Sequence, residues 1–179
     1  MKLSKLFALM KQRKRIVVAQ GAAAQWVGDG DCLYPIYNLP MLTERTMQTL
    51  LNLSDDAWDK FTFEEHENLL FSENDFEEDQ TDLALLNISI HWKGGEYIPL
   101  IGSGRIFYIP AKYLKPFADE TLLSYSYRGG ARSGNGVIAV NEGLLLSAII
   151  CPIALDDTLY IETLYRTYDL SKREAKHDT

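Results

Sequence analysis

Residues 86–109 read Leu86-Asn87-Ile88-Ser89-Ile90-His91-Trp92-Lys93-Gly94-Gly95-Glu96-Tyr97-Ile98-Pro99-Leu100-Ile101-Gly102-Ser103-Gly104-Arg105-Ile106-Phe107-Tyr108-Ile109, and this stretch decides the fold. Leu86, Ile88, Ile90 and Trp92 alternate with Asn87, Ser89 and His91, the period-two pattern of a half-buried strand. Lys93-Gly94-Gly95-Glu96 supplies a hairpin turn. Tyr97–Ile101 returns, Gly102-Ser103-Gly104 turns again, and Arg105–Ile109 follows. Connections this short join antiparallel neighbours, because a parallel pair needs a long crossover.

The same pattern recurs on both sides. Arg15–Gln20 is a β-branched run ended by Gly21, and Gln25-Trp26-Val27 returns. Gly28-Asp29-Gly30-Asp31 makes a tight turn into Cys32-Leu33-Tyr34, which Pro35 is expected to stop. Further on, Leu122–Arg128 is a strand with Ser124 and Ser126 outward. Val137–Val140 pairs with Leu144–Cys151 across Asn141-Glu142-Gly143, and Pro152 ends the sheet. Helices flank these strands. Leu3, Leu6, Phe7 and Met10 share one face of a helix over 2–12. Thr43 N-caps a helix carrying Met47, Leu50 and Leu51, and Ser54 caps a short one with Trp58 and Phe61 on its inner side. Pro110 opens a short helix halted near Pro116. Asp156 or Asp157 caps a last helix with Ile161, Leu164, Tyr165 and Tyr168 on one face. The fold class is therefore α+β: a mainly antiparallel sheet with an N-terminal helix, a central helical and acidic insertion, and a C-terminal helix. One domain spans 1–170, with the insertion at about 54–82 and a polar tail at 171–179.

Composition sets the bounds. A chain of 179 residues with 46% apolar content can build one core. Cys32 and Cys151 both sit in apolar surroundings and read as buried free thiols, a usage that fits a reducing cytoplasm. No apolar run approaches the roughly 20 residues of a membrane span. The first fifteen residues hold six bases and no acid. A core-facing helix with a solvated basic side explains them, and a membrane-surface helix or a phosphate-contacting arm are the sharper readings.

Residues 55–82 stand apart. They contain twelve of the 25 acids and one base, Lys60. Trp58, Phe61, Phe63, Phe71 and Phe76 are threaded among them. Ser54 and the first-turn acids Asp55 and Asp56 have a capping explanation. Residues 64–80 lack periodicity and read as a loop. Charge alone would suggest a solvated tail, whereas charge with aromatic anchors suggests a surface with a strong negative field. The candidate partner-binding residues are Asp59, Phe63, Glu64, Glu65, Phe71, Glu73, Asp75, Phe76, Glu77, Glu78 and Asp79.

Catalytic and metal motifs are not evident. Asp29-Gly30-Asp31 has two alternating acids where a calcium loop needs three, a glycine and a distal Glu, so it reads as a turn. Glu64-Glu65-His66-Glu67 lacks the paired histidines of a helical metal site. The loop Arg128-Gly129-Gly130-Ala131-Arg132-Ser133-Gly134-Asn135-Gly136 is followed by a strand, not by the helix a phosphate loop requires. It reads as a hairpin connection from which Arg128 and Arg132 would reach a phosphate or carboxylate. His66, His91 and His177 do not make a nucleophile set with any Ser or Cys. The expectation is no enzyme, no cofactor and no metal.

Two resemblances bear on use. Ile106–Phe117 is similar to the strand-then-helix opening in the last domain of bacterial sliding clamps, and Leu146–Ile153 resembles the strand that ends it. A clamp ring needs several such domains, and neither the added C-terminal helix nor the acidic block belongs to the pattern. In its acidic, aromatic-rich style the chain is similar to accessory proteins of phages and mobile elements. The first expectation is thus a cytoplasmic interaction protein. It would bind and inhibit a basic, nucleic-acid-handling host protein in the manner of an anti-CRISPR or anti-restriction inhibitor. The alternative is a clamp-like or other DNA-replication accessory domain, with its bases on phosphates. An unrecognised small enzyme is the third.

Overall fold

The computed structural model describes residues 1–129, 136–155, 160–166 and 169. In chain order the elements are α1 (Leu3–Arg13), β1 (Arg15–Gln20), β2 (Gln25–Gly28), β3 (Cys32–Ile36), α2 (Glu44–Leu50), α3 (Asp55–Trp58), β4 (Thr62–His66) and β5 (Thr81–Leu85). Then come β6 (Ile90–Trp92), β7 (Gly95–Gly102), β8 (Arg105–Pro110), a 3₁₀ helix (Ala111–Phe117), β9 (Leu123–Arg128), β10 (Val137–Glu142) and β11 (Leu145–Ile150). Residues 160–166 are helical. The α+β class and its antiparallel bias are as the sequence implies.

The strands form one bent sheet in the order β4-β1-β2-β3-β11-β10-β9-β5-β7-β6, with β8 on β7. Every ladder among the described residues is antiparallel except β1–β4. The inner face of both halves packs on the helices. Leu6, Leu9 and Met10 of α1 meet Tyr113 and Phe117 of the 3₁₀ helix, with Ile16, Val18, Tyr34, Leu100, Ile109, Ile138 and Val140 beneath them. Thr43 caps α2 by accepting from the Thr46 amide, and the Thr46 hydroxyl accepts from the Thr43 amide in return. Gly30 takes φ +90°, and its flat profile admits the Arg15 guanidinium, which a Cβ there would meet at 2.8 Å.

Several expectations are corrected. Pro35 lies inside β3, opposite Trp26. β11 pairs only with Cys32 and Leu33, so no strand on that side waits for the missing N–H. The segment read as a loop from 64 begins as a strand, because β4 lies parallel to β1 with Glu64 opposite Val17. Its charges hid it, and charges are what sheet edges carry. The predicted strand 86–92 survives only as Ile90–Trp92, with Ile88 exposed. The chain pairs earlier, at β5, where Leu83 is buried opposite Tyr125 and ties the two halves of the sheet together. Ser126, expected outward, is 4% exposed because the acidic segment folds back over that face. Cys151, expected buried, is exposed beyond the end of β11, whereas Cys32 is buried. Pro110 precedes the 3₁₀ helix as its N-cap, and Pro116 lies inside it. Arg132, most of the glycine-rich loop, Asp156, Asp157, Tyr168 and the tail lie outside the described residues.

Candidate interaction surface

The sheet has a second, outer face. Ala19, Trp26, Ala139, Leu146 and Ile149 form a small cluster there, opposite the main core. After β4 the chain turns onto this face, and residues 69–77 run across it. Phe71 meets the Trp26 ring edge-on, with centroids 4.9 Å apart. The Glu73 carboxylate accepts from the Ala22 amide at 2.6 Å and from Trp26 Nε1 at 3.4 Å. Asp75 Oδ1 accepts from the Leu146 amide at 2.7 Å. Glu77 accepts from the Ser72 hydroxyl and, at 3.0 Å, from Asn74 Nδ2, and these bonds hold its carboxyl below the usual range.

Arg128 clamps the segment from beneath. It is 5% exposed, with Nη1 donating to the carbonyls of Asn74 at 2.8 Å and Ser72 at 3.5 Å, and Nη2 to that of Asp75 at 3.0 Å. Burial lowers its pKa from the ordinary arginine value. A guanidinium spent on three carbonyls is not presented to an outside phosphate. Glu64 is likewise engaged, accepting from Arg15 Nε at 2.9 Å and Nη2 at 3.1 Å, with His66 Nε2 at 3.8 Å. The bidentate pair lowers the Glu64 carboxyl and raises Arg15.

The eleven predicted residues therefore separate. Glu64, Glu73, Asp75 and Glu77 hold the acidic segment in place. Phe63 packs towards the core beside Trp58, at 6.2 Å, and Phe71 rests on Trp26. Asp59, Glu65, Glu78 and Asp79 face solvent, as do Glu67 and Asp82. Phe76 is 66% exposed. Among the described residues no base lies within ion-pair distance of Asp59, Glu65, Glu67, Asp75, Glu78, Asp79 or Asp82.

The structure adds residues that the sequence reading did not select. Phe76 shares a depression with Leu144, which is 88% exposed at the β10–β11 turn. Leu145 follows it, 63% exposed, and Leu122, 74% exposed, is tied to the same turn by the Gly143 amide donating to its carbonyl. The available signal was Gly143-Leu144-Leu145-Leu146, three leucines starting inside a turn, where alternation can bury only some of them. Apolar side chains so exposed, with Asp75 and Asp82 lining the same depression and the exposed Glu78 and Asp79 following Phe76 in the chain, form the kind of patch that marks an interaction site.

Two cavities flank the acidic segment on the outer face. One, of about 360 Å³, has Val17, Leu33, Leu69, Phe71 and Ile149 as walls and Cys151 at its rim. The other, of about 440 Å³, opens between Phe76 and Leu144 above Ser126. Elsewhere, Asp29 is a buried carboxylate, 2% exposed. It accepts from the Asp31 and Cys32 amides and, at 2.8 Å, from the Tyr113 hydroxyl, with Arg13 Nε at 3.4 Å and Lys112 Nζ at 3.9 Å. Every donor around it belongs to the β2–β3 turn, α1 or the 3₁₀ helix, so it ties those three elements together. Among the described residues no group of three or more His, Cys, Asp or Glu is placed to hold a metal ion, and no helix is long and apolar enough to cross a membrane. Compared with known proteins, the chain matches no family model, no curated sequence and no solved structure.

Proposed function

We propose that this protein acts by binding another protein, a basic one that handles nucleic acid, and obstructs it. The observation that carries the reading is the patch at the β10–β11 end of the sheet, where exposed Phe76 and Leu144 share a depression with Asp75 and Asp82, Leu122 and Leu145 are exposed at the same turn, and the exposed Glu78 and Asp79 follow Phe76 in the chain. Exposed aromatic and aliphatic side chains supply the apolar anchors that hold an interface together. The acids supply the steering field towards a positive cleft and compete there with phosphates. Such obstruction is how an anti-CRISPR or anti-restriction inhibitor carried by a phage or mobile element would work.

A clamp-like role would need bases turned to DNA, and Arg128 gives its guanidinium to the acidic segment instead. The experiment is capture of partners from a bacterial cytoplasm with the wild-type chain and with a Phe76→Ala, Leu144→Ser, Glu78→Gln, Asp79→Asn variant. The captured protein is then tested in purified form, with duplex DNA as competitor. The reading requires a basic protein that is retained only by wild type and released by DNA. Equal capture by both chains, or direct salt-sensitive binding of duplex DNA by the chain itself, would overturn it.

A further inference from the structure

Asp75 is bonded to three strands at once. Its carbonyl accepts from Arg128 Nη2 of β9 at 3.0 Å and from Asn141 Nδ2 of β10 at 2.8 Å, which occupies both lone pairs. Its carboxylate Oδ1 accepts from the Leu146 amide of β11 at 2.7 Å. Leu146 is the ladder partner of Asn141, and the β10–β11 register shifts just there, between Val140 and Asn141. Such an irregularity disrupts the ladder locally, and Asp75 brings an acceptor to it from outside the sheet. Phe76 follows directly in the chain. On its other side Glu77 is fixed as well, by the Ser72 hydroxyl and Asn74 Nδ2 donating to its carboxylate and by its own amide donating to Gln80 Oε1 at 3.2 Å. Phe76 itself is 66% exposed in the depression it shares with Leu144. Packing therefore does little to hold it, and the fixed backbone on either side sets its place.

We infer that Asp75 is the positioning residue of the proposed interface: its hydrogen bonds hold Phe76 beside Leu144, so that a partner meets an anchor already in place. The inference rests on the interaction reading above and gives Asp75 a different part from the exposed Glu78 and Asp79. Those two act by charge, whereas Asp75 acts through its oxygen acceptors. An anchor ordered before encounter loses less conformational entropy on binding. One that is ordered in only a fraction of the molecules lowers the apparent affinity by that fraction.

Three variants separate the acceptor from the charge. Asp75→Ala removes both, and Asp75→Asn removes the charge but keeps a side-chain oxygen acceptor. Asn141→Ala removes a donor to the Asp75 carbonyl without altering the acidic segment. The first readout needs no partner and is the order parameter of the Phe76 amide from nitrogen-15 relaxation. It should be about 0.85 in wild type, fall below about 0.6 in Asp75→Ala, fall less far in Asn141→Ala, and recover in Asp75→Asn. Amide shifts of β7 and β8 that match wild type show that each variant is folded. The second readout is the dissociation constant for the basic protein captured with the wild-type chain. Asp75→Ala should bind it at least about tenfold more weakly, and Asp75→Asn only about threefold more weakly. Binding by Asp75→Asn as poor as by Asp75→Ala, with both deficits fading near 1 M salt, would make Asp75 a rim charge and overturn the inference. A Phe76 amide that stays rigid in both Asp75→Ala and Asn141→Ala would overturn it too, while leaving the interaction reading standing. Absence of any basic partner for the wild-type chain, with Phe76 loosened in Asp75→Ala, removes that reading and leaves Asp75 as the residue that places Phe76.

Discussion

Arg128 Nη1 lies 2.8 Å from the carbonyl oxygen of Asn74, and this bond joins a buried strand end to the middle of the acidic segment. With the bonds to Ser72 and Asp75, one cation organises the backbone that carries Glu73, Asp75, Phe76 and Glu77. Arg128→Met keeps the stem and removes the donors. It should cost about 2–4 kcal/mol, the range for losing charge-assisted bonds at a buried site. Limited proteolysis should then cut between Glu67 and Asp79 far faster than in wild type. Equal cutting rates would show that Phe71 and Glu73 hold the segment unaided.

The clamp also shows where sequence reading stops. Strands with turn-residue boundaries, such as Tyr97–Ile101 and Arg105–Ile109, are legible because their periodicity is local. β4 was not, because its pairing with β1 is a long-range choice that leaves only Glu64 and Glu65 to read. Arg128 and Glu73 looked like free surface charge for the same reason, since their acceptors and donors lie 47–56 residues away along the chain. Exposure at Phe76 was expected, whereas Phe63 and Phe71 turn inward because Trp58 and Trp26 offer them ring partners. Leu144 and Leu145 went unselected because leucine in a strand ordinarily signals burial.

Tyr34 and Tyr113 yield a pH prediction. The Tyr34 hydroxyl donates to the Tyr113 carbonyl at 2.7 Å, and the Tyr113 hydroxyl donates to Asp29 at 2.8 Å. Burial first of all, then Cys32 and Asp29 near Tyr34 and Asp29 beside Tyr113, pushes both phenols well above the ordinary tyrosine value of about 10. A folded pKa above the unfolded one gives stability that is complete below pH 10 and is lost as pH rises beyond it. Lys112 acts in the opposite sense, because burial lowers its amine and that penalty is relieved as pH rises. Denaturant midpoints should therefore fall above about pH 10, with tyrosinate absorbance from these two rings appearing only as the chain unfolds. Tyr34→Phe should flatten that alkaline decline. Ionisation of all tyrosines in the still-folded chain would contradict the burial.

Trp26 and Trp92 should differ in what they contribute. Trp26 is 2% exposed and sits on the outer face beneath Phe71, with its indole N–H facing Glu73. Trp26→Ala should cost about 3–5 kcal/mol and also loosen the acidic segment. Trp92 is half-buried in a small satellite cluster with Ile90, Tyr108 and Leu155, under the Lys93 ammonium at 4.2 Å. Trp92→Ala should cost about half as much. Equal shifts in unfolding midpoint would mean that the satellite cluster bears on the main core more than its geometry shows.

The patch predicts a kinetic signature once a basic partner is in hand. Replacing Glu78 and Asp79 by Gln and Asn removes rim charge that has no base within ion-pair distance among the described residues, so the fold should not notice. Association should slow by about tenfold at low salt, because rim charges act chiefly on encounter. That difference should vanish near 1 M salt, where the Debye length falls to about 3 Å. Phe76→Ala and Leu144→Ser should act on the other rate, since anchors that become buried in a complex govern how long it lasts. Their association should match wild type while dissociation quickens by about tenfold or more. Surface plasmon resonance across a salt series separates the two classes. Charge variants that associate at the wild-type rate at low salt, together with anchor variants that dissociate at the wild-type rate, would leave Phe76, Leu144 and their acidic rim as ordinary solvated surface.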